Sequence, residues 1–170
     1  DDRFIPRMRG AAKVLHGHGV ILVNQLAHLG AAPTQPRLVP PIGPSAIRND
    51  EAHAVPVALE EEHIADLVAA YGHAARRARE AGADAVELHA AHGYLLEQFL
   101  SPYTNRRTDR YGGSFENRLR VIREILSGID RLAGADFPVG LRIVGDEFTE
   151  RGLSATDVAR PSCSSRAMEN

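Results

Sequence analysis

Apolar residues recur along this chain with two alternating periods, one helical and one extended. Phe4, Met8, Ala11, Ala12 and Leu15 fall on one face of a helix, and Gly17 and Gly19 then break the pattern. The run Val20-Ile-Leu-Val-Asn-Gln-Leu26 is β-branched and continuous, as expected of a strand covered on both faces in a parallel sheet. From Leu59 to Ala81 the series Ile64, Leu67, Val68, Tyr71, Ala75, Ala78 returns to helical spacing, with Glu60, Glu61 and Glu62 at its start and Arg76, Arg77 and Arg79 near its end. Both charge placements suit the helix dipole, and Gly82 supplies the stop. Asp84-Ala-Val-Glu-Leu-His89 predicts a second strand and Leu95 to Leu100 a short helix. Phe115, Leu119, Ile122, Ile125, Leu126 and Ile129 predict a long helix, capped by Ser114 and closed by Gly134. Phe137 to Val144 predicts a third strand, and Leu153 to Ala159 the start of a further helix.

Helix and strand alternate throughout, which predicts an α/β fold of parallel β/α units. Two stretches depart from the pattern. Residues 31–56 carry Pro33, Pro36, Pro40, Pro41, Pro44 and Pro56 and read as a long irregular excursion, of a kind that is functional or disordered in compact domains. Residues 161–170, PSCSSRAMEN, have no periodicity and are expected to form a disordered tail.

Composition narrows the picture by exclusion. A chain of 170 residues with 44% hydrophobic content predicts one globular domain with an ordinary core. A formal charge of -2 and a pI near 6.5 provide no basic patch for nucleic acid. The apolar runs fall well short of the roughly 20 residues that cross a bilayer. Asp1-Asp2-Arg3-Phe4 shows neither an initiator Met nor the order of a signal peptide, so the natural N-terminus is expected to lie further upstream. Cys163 stands alone, which excludes an internal disulfide framework and a Cys-based zinc cluster and fits a reducing cytoplasm.

Candidate chemistry collects where the predicted strands end: Gln25 and His28 at the first, Glu87, His89, His92 and Tyr94 at the second, Arg142, Asp146 and Glu147 at the third. Strand C-terminal ends are where β/α barrels and doubly wound sheets build their sites. Side-chain alternation puts Glu87 and His89 on one face, opposite Val86 and Leu88. On the third strand Arg142 shares a face with Gly140, opposite Val139, Leu141 and Ile143. A Glu87–Arg142 pair across neighbouring strands is expected as an orienting contact.

The hexapeptide HAAHGY, His89 to Tyr94, admits three readings. Metal binding would use His89 and His92, with His28 a further candidate, but no third ligand stands at a recognised spacing. A structural role would bond the imidazoles to backbone at the strand end. An acid/base role would have His89 and His92 polarise a substrate oxygen while Tyr94, a phenol protonated at neutral pH, gives a proton. His28 either lines the site or is a solvated loop residue. Arg106, Arg107, Asp109, Arg110, Tyr111, Gly112 and Gly113 read as a self-bonded polar loop that positions the helix starting near Ser114.

The stretch VELHAAHGYLLEQFLSPYTNRRTDRYGGSFENR resembles the old yellow enzyme family of NADH:flavin oxidoreductases, particularly its bacterial 2,4-dienoyl-CoA reductase-like and enoate reductase-like branch. Gln25-Leu-Ala-His-Leu-Gly30 and Gly140-Leu-Arg-Ile-Val-Gly-Asp-Glu-Phe148 agree with it, so the resemblance runs from Asp2 to about Ala159. It implies a fragment of a (β/α)8 TIM barrel, with residues 1–160 forming part of an FMN-binding domain and supplying its third to fifth β/α units. A complete barrel takes about 250 residues. The helix begun by GLSATDVA gives way to RPSCSSRAMEN, which departs from the family, and the family's phosphate-holding segments are not in this sequence, so FMN affinity is expected to be reduced.

By the same resemblance, Gln25 binds the pyrimidine edge of FMN and Arg142 its N1 and C2-carbonyl region, where a fixed guanidinium suits the negative charge of reduced flavin. His89 and His92 bind the oxygen of an activated alkene and Tyr94 protonates its α-carbon. The flavin carries the hydride chemistry, and NAD(P)H is the reductant. The implied substrate is a small enone, enoate or enoyl thioester, with no metal, nucleic acid or membrane involved. Two alternatives stay open. One is a catalytically inactive half-barrel that self-associates as a homo-oligomer or needs a complementary chain, because open sheet edges expose unpaired backbone. The other is a His-based metal-dependent hydrolase or lyase.

Overall fold

The computed structural model describes residues 1–32, 40–48 and 55–159. The expected tail, 161–170, lies outside the described residues, as do 33–39 and 49–54 of the proline-rich excursion. The elements in order are α1 (Ile5–Gly17), β1 (Val23–Leu26), β2 (Ile42–Gly43), β3 (Val57–Ala58), α2 (Glu61–Glu80), β4 (Ala85–Ala90), α3 (Leu95–Leu100), α4 (Phe115–Ala133), β5 (Val139–Ile143) and α5 (Ala155–Val158). They divide into two compact units. The first holds Asp1–Ala27, Glu60–His89 and Ile122–Arg142, the second His28–Leu59, Ala90–Val121 and Ile143–Asn170.

In the first unit β4 is the central strand of a sheet ordered β1-β4-β5. β1 runs parallel to β4, with Gln25 opposite Glu87 and Leu26 opposite Leu88. β1 is shorter than its apolar run predicts. The Asp84 N–H donates to the Leu22 carbonyl at 2.9 Å and the Asp84 carboxylate takes the Leu22 N–H at 2.8 Å, so the regular ladder begins only at Val23. Val20, Ile21 and Val23, the last inside the ladder, are exposed at 46%, 73% and 51% rather than covered on both faces.

The core of this unit lies on one face of β4, where Val86 and Leu88 are fully buried. α2 buries Ile64, Val68, Tyr71, Ala75 and Ala78 of the stripe its spacing predicts and leaves Leu67 half-buried, and α4 buries Ile122, Ile125 and Ile129. Each fully buried aliphatic side chain stabilises by roughly 1.5–3 kcal/mol relative to exposure. The two helices approach closely at small residues: a Cβ on Gly72 would lie 3.0 Å from the Gly128 carbonyl oxygen. α2 starts with a capping box between Glu60 and His63, and Gly82 beyond its end takes a φ of 90°, as a helix-stopping glycine does. Arg79 in the last turn of α2 holds Asp136 through two bonds of 2.7 and 2.6 Å and also reaches the Ala133 carbonyl at the end of α4.

In the second unit β2, inside the proline-rich excursion, and β3, just beyond its end, form a parallel two-stranded ladder, an element the sequence pattern does not predict. Two residues per strand carry no readable period, and the ladder is extended by Val57 N–H to the Pro41 carbonyl and Leu59 N–H to the Gly43 carbonyl, at 2.8 and 2.9 Å. All six residues of α3 are buried. Ser114 caps α4 as predicted, its Oγ accepting from the Asn117 N–H at 3.2 Å. Arg118, only 8% exposed, donates to the Leu100 carbonyl at 2.6 Å and so satisfies the C-terminal end of α3. Ser154 and Asp157 form a capping box that starts α5.

Candidate active site

One face of the sheet in the first unit is polar. Gln25 and Glu87 sit in register on β1 and β4, and Gln25 Nε2 donates to Glu87 Oε1 at 2.6 Å. A Cβ on Gly140 would lie 3.9 Å from Glu87 Cβ, so Gly140 occupies the same face. Alternation then places His89 and Arg142 on that face too, opposite the buried Val86 and Leu88. Gln25 and Arg142 are exposed there, whereas His89 is only 4% exposed.

The expected Glu87–Arg142 pair does not form. Glu87 is met by Gln25, its direct register partner, while Arg142 lies two residues beyond Gly140, a step of roughly 6.6 Å along a strand. The contact fixes the Gln25 carboxamide instead. With one N–H committed to Glu87, that group retains a second N–H and an acceptor oxygen side by side.

In the second unit the chain leaving β4 makes a tight turn. His92 and Gly93 both take left-handed backbone, with φ of 60° and 69°. For a non-glycine residue such a conformation costs on the order of 1–3 kcal/mol and persists only where surrounding contacts impose it. Those contacts come from α3. Glu97 Oε2 accepts from the Gly93 N–H at 2.6 Å, and Gln98 Nε2 donates to the Gly93 carbonyl at 2.6 Å. The His92 and Tyr94 rings face each other edge to face, with centroids 6.3 Å apart and planes at 88°.

The loop after β1 is fastened to the same helix. Gln98 Oε1 accepts from the Ala31 N–H at 3.1 Å, and the His28 carbonyl accepts from the Leu95 N–H at 2.9 Å. His28 Nδ1 accepts from the Gly30 N–H at 3.0 Å, which puts its ring proton on Nε2 and gives the residue a turn-forming task. Gly30 has a φ of 61°, and a Cβ there would come 2.5 Å from Gln98 Oε1. The pattern reading passes over Glu97 and Gln98. The available signal was two adjacent polar residues inside the otherwise apolar LLEQFL, where the structure buries every position.

The polar loop after α3 bonds to itself and to its own unit, as expected. Asn105 Nδ2 donates to the Phe99 and Tyr111 carbonyls at 2.7 and 2.8 Å. Arg107 binds Asp109, the Pro44 carbonyl at 2.9 Å and the Leu59 carbonyl. Burial pushes the Asp109 carboxyl up, but the Arg107 guanidinium and the Tyr111 N–H outweigh it and hold the group below the usual carboxylate range. A cleft of about 430 Å³ lies against this loop, lined by Pro44, Ser45, Ile47, Arg106, Arg107 and Asp109, and none of the predicted site residues lines it. Among the described residues no group of three His, Cys, Asp or Glu is placed to hold a metal ion.

Residues 1–169 match the NADH:flavin oxidoreductase / NADH oxidase family. The chain belongs to that family. FMN is the family's cofactor and NADH or NADPH its reductant, so by family this is oxidoreductase sequence. NADPH dehydrogenase from Listeria welshimeri serovar 6b is 41% identical over 157 residues, covering 92% of this chain and 45% of that protein. Histamine dehydrogenase from Rhizobium sp. 4-9 superposes with a TM-score of 0.85 at 34% identity, over 93% of this chain and 24% of that one. The old yellow enzyme homologue from Zymomonas mobilis superposes with a TM-score of 0.73 at 31% identity, over 81% of this chain and 42% of that one. The chain thus spans less than half the length of these relatives, and its fold is part of the TIM barrel of the old yellow enzymes. Among the described residues no helix is long and apolar enough to cross a membrane.

Proposed function

We propose that residues 1–160 are part of an FMN-binding domain that reduces activated C=C bonds of small enones, enoates or enoyl thioesters with hydride from NAD(P)H. The observation that carries this reading is the polar sheet face bearing Gln25, His89 and Arg142, in a chain of flavin oxidoreductase sequence. The residues fit the cofactor. Gln25, oriented by Glu87, offers a donor and an acceptor side by side, the complement of the alternating carbonyl and N–H groups of a pyrimidine edge. Arg142 offers an exposed, permanently charged guanidinium suited to negative charge on that ring. When bound, FMN supplies the hydride.

The chain's own residues prepare the alkene. His89 and His92 donate hydrogen bonds to its activating oxygen, drawing charge away from the β-carbon, and Tyr94 holds the proton destined for the α-carbon. A homo-oligomer is the assembly proposed for the exposed strand β1, and sedimentation showing a clean monomer counts against it.

Stopped-flow kinetics on the FMN-loaded chain test the roles. Tyr94→Phe is expected to slow alkene reduction by about 10²- to 10⁴-fold while leaving flavin reduction by NADPH unchanged. Equal loss in both half-reactions overturns the proton-donor role. The likeness to histamine dehydrogenase favours a second reading, oxidation of a small amine, and flavin reduction by histamine without NADPH would select it.

A further inference from the structure

Resting on that function, we infer that Glu97 and Gln98 are positioning residues that fix His92 and Tyr94 relative to each other. Gly93 stands between the two. Its N–H belongs to the peptide joining it to His92, and its carbonyl to the peptide joining it to Tyr94. Glu97 Oε2 holds the first at 2.6 Å and Gln98 Nε2 holds the second at 2.6 Å. Both peptide planes of the turn are therefore clamped, and the planes set the directions in which the imidazole and the phenol leave the backbone.

Three features make this more than an incidental contact. Glu97 and Gln98 are 5% and 2% exposed, so neither bond competes with bulk water. The clamped backbone is left-handed at both His92 and Gly93, a turn that needs outside contacts to persist. Gln98 Oε1 also takes the Ala31 N–H at 3.1 Å, so one carboxamide holds this turn and the loop after β1 together. The result is the edge-to-face pair of His92 and Tyr94 rings. An oxygen-binding imidazole and a proton donor must meet one small substrate, and a misplacement of about 1 Å at such a site costs about 10²-fold in rate.

Two readouts test the inference, one without cofactor. In the unloaded chain the Gly93 amide is expected to be protected from hydrogen exchange, to lose protection in Glu97→Leu, and to keep it in Glu97→Gln, which retains an acceptor oxygen. In the FMN-loaded chain, Glu97→Leu and Gln98→Glu are expected to lower the rate of cyclohexenone reduction by about 10- to 100-fold, leave flavin reduction by NADPH unchanged, and Glu97→Gln to keep the wild-type rate. Gln98→Glu preserves volume and the acceptor for Ala31, and far-UV circular dichroism checks its folding, so a general loss of structure is separated from a loss of positioning. Protection of Gly93 that survives Glu97→Leu overturns the inference, as does an unchanged cyclohexenone rate in both variants. If the wild type reduces no cyclohexenone while Gly93 protection follows the variants as stated, the proposed function fails and the clamp stands.

Discussion

Asn105 gives the sharpest test of the loop that follows α3. Its side chain is 4% exposed and makes three bonds, donating to the Phe99 and Tyr111 carbonyls at 2.7 and 2.8 Å and accepting from the Arg107 N–H at 3.1 Å. At a net 0.5–1.5 kcal/mol per bond, with two buried carbonyls and a partly buried N–H left short of partners, Asn105→Ala should cost about 2–4 kcal/mol. Asn105→Asp separates bonding from volume. At neutral pH its carboxylate keeps the contact with Arg107 but turns an oxygen toward two carbonyls, so it should be at least as destabilised as the alanine variant. That acid's pKa would be raised in the folded state above its unfolded value of about 3.9. A raised folded pKa means stability that is present below the unfolded value and lost as pH rises through the folded one, so Asn105→Asp should recover relative to Asn105→Ala on acidification toward about pH 4. Urea unfolding followed by circular dichroism at both pH values measures this. A cost below about 0.5 kcal/mol for Asn105→Ala, or an Asn105→Asp variant that gains on the alanine variant with rising pH, would rule out this role for Asn105.

Three further substitutions test packing and charge. A Cβ at Gly72 would come within 2.9 Å of Leu132 Cδ1 and 3.0 Å of the Gly128 carbonyl, so Gly72→Ala is expected to destabilise, the overpacking of about 1–3 kcal/mol exceeding the helix-propensity gain of about 1 kcal/mol. At Gly128 the nearest atom is 3.5 Å away, so Gly128→Ala is expected to stabilise by about 0.5–1 kcal/mol, and thermal unfolding of the two variants reads the opposite signs. Asp109 has a depressed carboxyl pKa, so its contribution is present above about pH 4 and lost as pH falls through the folded value. Asp109→Asn should therefore lower stability at neutral pH and flatten the loss of stability below about pH 4, measured by urea unfolding across that range.

Much of the fold was legible because it rests on local periodicity. The stripes of α2 and α4, the Ser114 cap and the glycine stops at Gly82 and Gly134 all follow from residues within a few turns of one another. The polar face of β4 follows from simple alternation, since Glu87 and His89 must lie opposite Val86 and Leu88. What escaped was set by contacts between distant segments. Register between strands decided that Glu87 meets Gln25 rather than Arg142, and a side-chain contact from Asp84 shortened β1. The left-handed backbone at His92 was hidden because histidine signals it only weakly, whereas Gly93 beside it adopts it freely. Glu97 and Gln98 were hidden because a six-residue helix offers too short a window to distinguish a buried polar face from an exposed one.

The proposed function has His89, His92 and Tyr94 act on an activated alkene beside a flavin. Its most direct test is anaerobic: chemically reduced FMN with cyclohexenone, alone, with the chain, and with Tyr94→Phe or His92→Ala. The chain is expected to accelerate saturation of the C=C bond above the rate of free reduced FMN, and both variants to fall back toward that rate. A chain that adds nothing to free reduced FMN, or variants as fast as the wild type, would contradict it.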